Sequence, residues 1–357
     1  MAGRELTVWV LGAGFSRPLG GPLLTDLFSE GLESQIEVSF GDKLFTTNDT
    51  RDPCRQAIFL YRYGTGREHS FFPGGKSVRP IYMWPDAEAF LVQLETASRQ
   101  GKTSSRYQSL VAATRKALGE PTIDIDISHM LATAKRWTAA ECSLFLQNVD
   151  IDDENWGPFR RWARHLSRDT SRIHTIITFN YDRVLEMLAS DGGFEVLLPT
   201  DFHGRDCGET IVLKLHGSVD WKRSDGKYHR DQNEFFAIES PLDQLAIATP
   251  GRAKSELSQE LGPLWSMAER ALSKANRIVF VGYRFPESDA EARGRFLRAI
   301  NENHDARSLE IVLGPDVHSP QVERMKALLG RVAGGLQKVV AHPLFAEDLL
   351  DSESITK

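Results

Sequence analysis

The stretch Leu6-Thr7-Val8-Trp9-Val10-Leu11 runs directly into Gly12-Ala13-Gly14-Phe15-Ser16, and this junction decides the fold. The first six residues are mostly apolar or β-branched, as in a buried strand. The following small residues allow a tight turn, and an amphipathic run over 23–28 predicts a helix after it. A strand, glycine turn and helix in this order are typical of sheets that hold phosphate groups at the turn. Arg17 stands where the usual dinucleotide fingerprint has its third glycine.

Four further β-rich segments follow in the second half of the chain, and each ends in a polar or glycine-containing turn. They cover residues 175–180, 210–215, 277–282 and 309–314. Helical segments lie between them, which indicates parallel strands joined by crossovers. We therefore predict an α/β fold, a doubly wound (Rossmann-like) parallel sheet with a largely helical insertion.

The domain organisation follows from the break between the first strand and the others. Apolar residues recur at helical spacing between about 86 and 170, whereas 40–80 is polar and rich in turn residues. We expect a discontinuous core domain formed by 1–40 and 170–345. The insertion is predicted at 41–169, and a polar tail at 346–357.

Composition restricts the kind of partner. The 357 residues are 41% hydrophobic and 26% charged, with a formal net charge of −6, which gives no overall attraction to nucleic acid or to an anionic membrane. Cys54, Cys142 and Cys207 are far apart, which argues against a disulfide framework and against a zinc module with paired cysteines. With no leader-like segment and no membrane-length apolar run, we expect a cytoplasmic protein.

Polar side chains follow the predicted strands at their carboxyl ends, where ligands bind in parallel sheets. Asn180 and Asp182 follow the second strand and His216 follows the third. On its own, Asn180 or Asp182 is as readily explained as the cap of the next helix, and a lone histidine as a structural residue. Their shared position at one sheet edge favours a functional reading.

Together these segments resemble the sirtuin-like NAD-consuming family of bacterial anti-phage defence proteins. The resemblance covers about residues 6–30 and 172–317, and its motifs are Gly12-Ala13-Gly14-Phe15-Ser16, Thr178-Phe179-Asn180-Tyr181-Asp182, Leu215-His216-Gly217-Ser218, and Gly282-Tyr283 with Asp289. It implies that Asn180 orients the nicotinamide ribose and a water molecule, and that His216 acts on the ribose hydroxyls or on that water. The implied NAD-binding residues are Gly12, Ala13, Gly14, Phe15, Ser16, Thr178, Asp182, Gly282, Tyr283 and Asp289.

The resemblance also suggests the reaction. Protein-deacylating sirtuins share a zinc module with two cysteine pairs, and the three scattered cysteines here cannot build one. We therefore expect NAD to be the substrate of a hydrolysis to nicotinamide and ADP-ribose, with no metal. The alternatives are a subunit that binds NAD or ADP-ribose without turnover, and an NAD-dependent protein deacylase or ADP-ribosyltransferase.

The resemblance further implies control by assembly, because unrestrained NAD depletion would kill the host cell. The expected partner is a second copy of the chain in a homo-oligomer, or a separately encoded protein such as a HerA-like hexameric ATPase or a short Argonaute. Direct binding to nucleic acid or membrane is not expected.

Overall fold

The computed structural model describes residues 4–28, 49–64, 84, 86–201, 210–233, 235–248, 257–286, 289–333 and 338–352. Cys207, parts of the predicted insertion and the last residues of the predicted tail lie outside these ranges.

The strands form two sheets. In chain order they are β1 (Glu5–Leu11), β2 (Arg172–Thr178), β3 (Glu195–Val196), β4 (Ile211–Lys214), β5 (Gly217–Ser224), β6 (Lys227–Arg230), β7 (Leu245–Ile247), β8 (Arg277–Val281), β9 (Ser308–Val312) and β10 (Lys338–His342). Seven of them make a parallel sheet in the order β10-β9-β8-β1-β2-β4-β3, and β6-β5-β7 make a small antiparallel sheet. The predicted doubly wound parallel sheet is confirmed.

The described α-helices lie on both sides of the large sheet and in the insertion. They are α1 (Ala13–Ser16), α2 (Pro53–Tyr63), α3 (Ala87–Gln100), α4 (Ser105–Leu118), α5 (Ile127–Leu144), α6 (Gly157–Arg168), α7 (Val184–Gly192), α8 (Phe236–Glu239), α9 (Gly262–Lys274), α10 (Ala290–Asn301), α11 (Pro320–Val332) and α12 (Ala346–Asp351). The helix expected over 23–28 is wrong: after β1 the chain forms the single turn α1 and a short 3-10 helix, and 24–28 are turns.

The central strand β1 is buried on both faces, as parallel strands between helical layers are. Val8 and Val10 belong to one apolar core, with Leu213 and Phe280, while Trp9 packs in the core on the opposite face. Alternate side chains of a strand point to opposite faces, which explains why an almost continuous apolar run occurs here.

The insertion has its own apolar core, but its predicted boundary needs correction. Helices α2 to α5 bury residues such as Phe90 and Trp137 among themselves. Helix α6 packs on the large sheet instead, because Trp162 lies edge-on to Trp9 with the ring centroids 5.5 Å apart. The sheet domain therefore resumes at about residue 157.

The predicted polar tail is also corrected in its described part. Ala346–Asp351 form α12, and Leu349 and Leu350 are buried in the core that contains Trp162. Two apolar residues among acidic ones give only a weak helical signal in the sequence. The α/β core thus extends to α12.

Two glycine turns pack directly against each other above β1 and β8. A Cβ atom on Gly12 would lie 2.6 Å from the carbonyl oxygen of Gly282, and one on Gly14 would lie 2.7 Å from its Cα. Gly282 also has a φ of +65°, which disfavours any side chain. The two strands can end side by side only because all three positions lack a side chain.

Replacing Gly282 with alanine should lower the free energy of unfolding by roughly 2–4 kcal/mol. The change strains the backbone and adds a Cβ atom that collides with the backbone of Gly14. Chemical denaturation measures this change. Gly294→Ala is the matched control, because Gly294 lies inside α10 with no atom within 4 Å of an added Cβ. That control should be stabilising by about 0.5–1 kcal/mol. Equal effects of the two changes would contradict the packing argument.

A buried carboxyl group holds the segment that leads from α1 toward the insertion. Phe28, with a φ of +63°, donates its N–H to both carboxyl oxygens of Glu141 at 3.1 Å, and its carbonyl accepts from Arg62 Nε at 2.7 Å. Glu141 is 1% exposed. Burial raises the pKa of Glu141 to about 8. The hydrogen bond from the Phe28 N–H acts in the opposite direction and lowers this pKa, but its effect is smaller.

Glu141 should make stability depend on pH. Its folded pKa of about 8 exceeds the unfolded value of 4.5, so the folded state binds more protons between these values and its stability falls as pH rises through this window. The slope from this group is at most about 1.4 kcal/mol per pH unit. Denaturation at several pH values from 5 to 8 should show that the free energy of unfolding of Glu141→Gln increases relative to that of the wild type as pH rises. A constant difference would show that Glu141 does not titrate in this range.

Candidate active site

A cavity of about 430 Å³ lies at the carboxyl edge of the large sheet. It sits where the connections from β1 and β8 lead to opposite sides, the position at which doubly wound sheets bind ligands. Residues that directly follow strands form its floor, among them Gly12 after β1, Phe179 after β2 and Gly282 after β8. One wall comes from the segment after α1 and from the insertion, including Leu24, Ala87, Glu88, Leu91, Thr138 and Cys142.

Nine of the predicted site residues line this cavity. They are Gly12, Ala13, Gly14, Asn180, Asp182, His216, Gly282, Tyr283 and Asp289. The structure thus brings together residues that are up to 277 positions apart (289 minus 12).

Phe15, Ser16 and Thr178 are buried beneath the floor and do not line it. Phe15 packs edge-on against Phe159, with ring centroids 5.2 Å apart, so its part in the site is structural. The Thr178 hydroxyl accepts a hydrogen bond from the Asn180 N–H at 3.1 Å. Phe15 and Thr178 therefore support the site from beneath the floor.

Two amides of the glycine turn are hydrogen-bonded to the backbone of β8 and the turn after it. The Gly12 N–H donates to the Val281 carbonyl at 3.0 Å, and the Gly14 N–H donates to the Gly282 carbonyl at 3.3 Å. The small residues serve the contact between the two turns. Positive charge at the cavity comes instead from the exposed side chains of Arg17, which is paired with Asp26 at 2.6 Å, and Arg284.

Ser16 connects the two polar residues that follow β2. Asn180 Nδ2 donates to the Ser16 hydroxyl and to the Gly12 carbonyl, both at 3.0 Å. The Ser16 hydroxyl donates in turn to Asp182 Oδ2 at 2.7 Å. The Asn180 side chain is therefore fixed to the β1 turn and does not cap a helix.

Asp182 both caps the next helix and belongs to the hydrogen-bond network of the site, the two possibilities that the sequence left open. Its Oδ1 accepts the N–H of Val184, the first residue of α7, while Oδ2 accepts from Ser16. Burial raises the pKa of the Asp182 carboxyl, and the positive charge of Lys214 acts against that change. Lys214 lies underneath and donates to the Asp182 carbonyl, to Glu186 Oε1 at 2.9 Å and to Ser218 Oγ at 2.8 Å.

His216 is held between aromatic rings and a carboxylate. Its Nε2 lies 3.7 Å from Asp289 Oδ1, and Asp289 Oδ2 accepts from the Tyr283 hydroxyl at 3.2 Å. Burial and the neighbouring Asp289 raise the pKa of Tyr283, which keeps its proton available for this hydrogen bond. The Phe179 ring contacts the His216 ring with centroids 4.9 Å apart and stacks on Tyr283 at 4.2 Å.

Gly217 allows the chain to reverse immediately after His216. Its φ is +77°, and a Cβ there would collide with the Ala246 carbonyl of the antiparallel sheet. The Ala248 N–H donates to the His216 carbonyl at 2.8 Å. The backbone that carries the imidazole is thus fixed from both sides.

Several lining residues were not predicted from the sequence. Glu88 and Cys142 come from the insertion, and Phe345 and Glu347 come from the segment after β10. None belongs to a motif, and only the fold places them beside the strand ends. The hairpin next to His216 did have a signal, since Asp225-Gly226 between β5 and β6 is a preferred two-residue turn.

The fold and the cavity define the chain as a doubly wound α/β protein with a candidate ligand site at the point where its strand order diverges. Residues 174–329 match the model of the SIR2-like domain family, whose members bind NAD and are generally NAD-dependent enzymes. The match includes Asn180, His216, Tyr283 and Asp289 and ends before β10. No curated protein matches the chain.

Two other kinds of site concern metal ions and membranes. Among the described residues, no group of three or more His, Cys, Asp or Glu side chains could hold a metal ion. None of the helices in these ranges is long and apolar enough to cross a membrane.

Replacing Ser16 with alanine should disturb the site from below. It leaves buried Asp182 without one donor and Asn180 without one acceptor, so we expect the free energy of unfolding to fall by about 1–3 kcal/mol. Denaturant titration checks this value. Ser266→Ala is the control, because the Ser266 hydroxyl bonds to the Gly262 carbonyl on the exposed side of α9. If both variants change stability by less than about 0.5 kcal/mol, the network contributes nothing measurable.

Proposed function

We propose that this chain hydrolyses the bond between nicotinamide and ribose in NAD, releasing nicotinamide and ADP-ribose. The observation that carries the proposal is the joint presence of Asn180, His216 and the Tyr283–Asp289 pair in one cavity of a sirtuin-like domain. A volume of about 430 Å³ is in the range of small-ligand pockets.

The reaction needs little covalent chemistry from the protein. The bond between ribose C1′ and the pyridinium nitrogen breaks, its electron pair goes to the ring, and nicotinamide leaves as a neutral molecule. Water forms the new bond to C1′ and gives up a proton. The protein has to stabilise the oxocarbenium-like ribose and to aim the water.

The side chains in the cavity match these tasks. Asn180 is fixed through its amide nitrogen to Gly12 and Ser16, which leaves its amide oxygen to orient a ribose hydroxyl or the water. His216 is the base that takes the proton, and the Asp289 carboxylate 3.7 Å away stabilises the imidazolium that results. Arg17 and Arg284 provide positive charge for the diphosphate.

Chromatographic analysis of NAD after incubation with the purified chain tests the proposal. We expect nicotinamide and ADP-ribose with the wild type, and a rate about 10²- to 10⁴-fold lower with His216→Ala or Asn180→Ala, because each change removes a group that acts on the water or the ribose. His304→Ala and Asn301→Ala are matched controls, since both residues are exposed at the end of α10 and outside the cavity.

This assay, together with a measurement of NAD binding, separates the alternatives. Binding of NAD without any turnover, alone and with candidate partners, would favour a subunit that senses NAD or ADP-ribose. Transfer of ADP-ribose to a protein, or NAD consumption that requires an acylated protein, would favour a transferase or deacylase.

The biological role that we propose is an anti-phage effector that depletes NAD when it is activated. Two arguments support it: the resemblance in motifs described above, and the need to restrain an enzyme that destroys an essential metabolite. We propose that the restraint comes from assembly, either as a homo-oligomer or with a partner such as a HerA-like ATPase or a short Argonaute. Size-exclusion chromatography of the chain with and without such partners addresses this point.

A further inference from the structure

The segment after β10 brings an aromatic ring and a carboxyl group to the cavity. Phe345 and Glu347 both line it. They lie beyond residue 329, where the match to the SIR2-like family ends. Phe345 is 52% exposed, although it is a large apolar side chain. Single exposed apolar residues are common on protein surfaces, so it is the position of this ring in a cavity that points to a ligand.

The backbone that carries Phe345 is fixed to the turn after β9. The Gly314 N–H donates to the Leu344 carbonyl at 3.1 Å. The Phe345 N–H donates to Asp348 Oδ2 at 3.3 Å, and the Phe345 carbonyl accepts from the Leu349 N–H at 3.1 Å. Gly314 has a φ of +109°, and a Cβ atom there would lie 3.4 Å from the Phe345 ring. The ring is therefore in place before any ligand binds.

The carboxyl group of Glu347 has hydrogen-bonding capacity that the described residues do not use. Its Oε2 atom is buried and has no hydrogen-bond partner among them. The adjacent Asp348, in contrast, accepts the N–H of Phe345. A buried carboxyl oxygen without a donor is unfavourable. The last torsion of a glutamate is broad, so a small rotation turns either oxygen toward a ligand that supplies hydroxyl donors.

The strand order shows how a dinucleotide would extend along this cavity. His216 follows β4 and Asn180 follows β2, whereas Phe345 follows β10. Arg17 and Arg284 belong to the connections after β1 and β8, between these two ends. Four strand spacings separate β2 from β10, which is about 19 Å. NAD has its parts in the same order, with a diphosphate between the nicotinamide ribose and the adenosine.

We propose that Phe345 and Glu347 hold the adenosine of NAD, and that Glu347 makes the site select NAD over NADP. The inference rests on the proposed function, because it assumes that the nicotinamide end lies beside His216. The Phe345 ring stacks on the adenine. The Glu347 carboxylate accepts hydrogen bonds from the hydroxyls of the adenosine ribose. NADP has a 2′-phosphate in place of one of these hydroxyls, and the carboxylate repels this anion.

Calorimetric binding of ADP-ribose and of ADP-ribose 2′-phosphate tests the role of Glu347. Neither ligand contains nicotinamide, so turnover does not interfere. The wild type should bind ADP-ribose at least tenfold more tightly than its 2′-phosphate. Glu347→Gln should bring the two affinities close together, because the amide has no negative charge and can donate to the phosphate. Glu302→Gln, exposed after α10 and outside the cavity, should keep the wild-type ratio.

The same measurement on Phe345→Ala tests the stacking. This change should weaken the binding of both ligands by roughly tenfold and leave their ratio unchanged, because both contain adenine. Val92→Ala is the matched control, since Val92 is an apolar side chain that is 36% exposed and does not line the cavity. If Phe345→Ala binds both ligands as tightly as Val92→Ala does, the stacking is overturned.

The affinity ratio of the wild type needs no folded variant. Equal affinities, or tighter binding of the 2′-phosphate, would overturn the role of Glu347 even if the wild type hydrolyses NAD. An unchanged ratio in Glu347→Gln that thermal unfolding shows to be folded would do the same. If the wild type prefers ADP-ribose as expected but leaves NAD intact, the proposed hydrolysis fails and the adenosine site stands. Binding of neither ligand, with NAD intact, would overturn both.

Discussion

The contact between two glycine turns is the constraint on which the site depends. Gly12 and Gly14 after β1 lie against Gly282 after β8, and two hydrogen bonds join the turns. This contact closes the gap between the central strand and its neighbour at the edge where ligands bind. It also determines the positions of Ser16 and Tyr283, the residues that orient Asn180 and Asp289. A side chain at any of the three glycines would separate these two halves of the cavity.

A buried charge network supports the other half of the site. Lys214 is 1% exposed and donates to Asp182, Glu186 and Ser218, so its three protons all have acceptors. Arg230 of β6 adds positive charge near Glu186, at 3.6 Å. The network joins β4, α7 and the antiparallel sheet beneath the residues that follow β2. Because removing one partner would leave another charge buried and unpaired, these elements have to assemble together.

The parallel sheet and most of the site were predictable because their signals are local. Each long buried strand is an apolar run, and each run ends in the polar residues that meet at one sheet edge. The two-residue β3 has too little sequence for such a signal, and α12 shows only two buried apolar residues. The walls were missed for another reason. Glu88 and Glu347 reach the cavity because distant segments pack against the strand ends. The spacing of residues in the sequence does not predict that packing.

The origin of the cavity walls also shows that the sheet domain alone does not enclose the site. The floor contains Asn180 and His216, and it is built from turns that follow the strands of the parallel sheet. The wall that contains Leu24 and Glu88 depends on the insertion, which Glu141 and Arg62 tie to the backbone of Phe28. Since water and counter-ions weaken charge interactions in an open cleft, the floor and the wall together are needed for strong interactions between the polar side chains of the floor and a ligand.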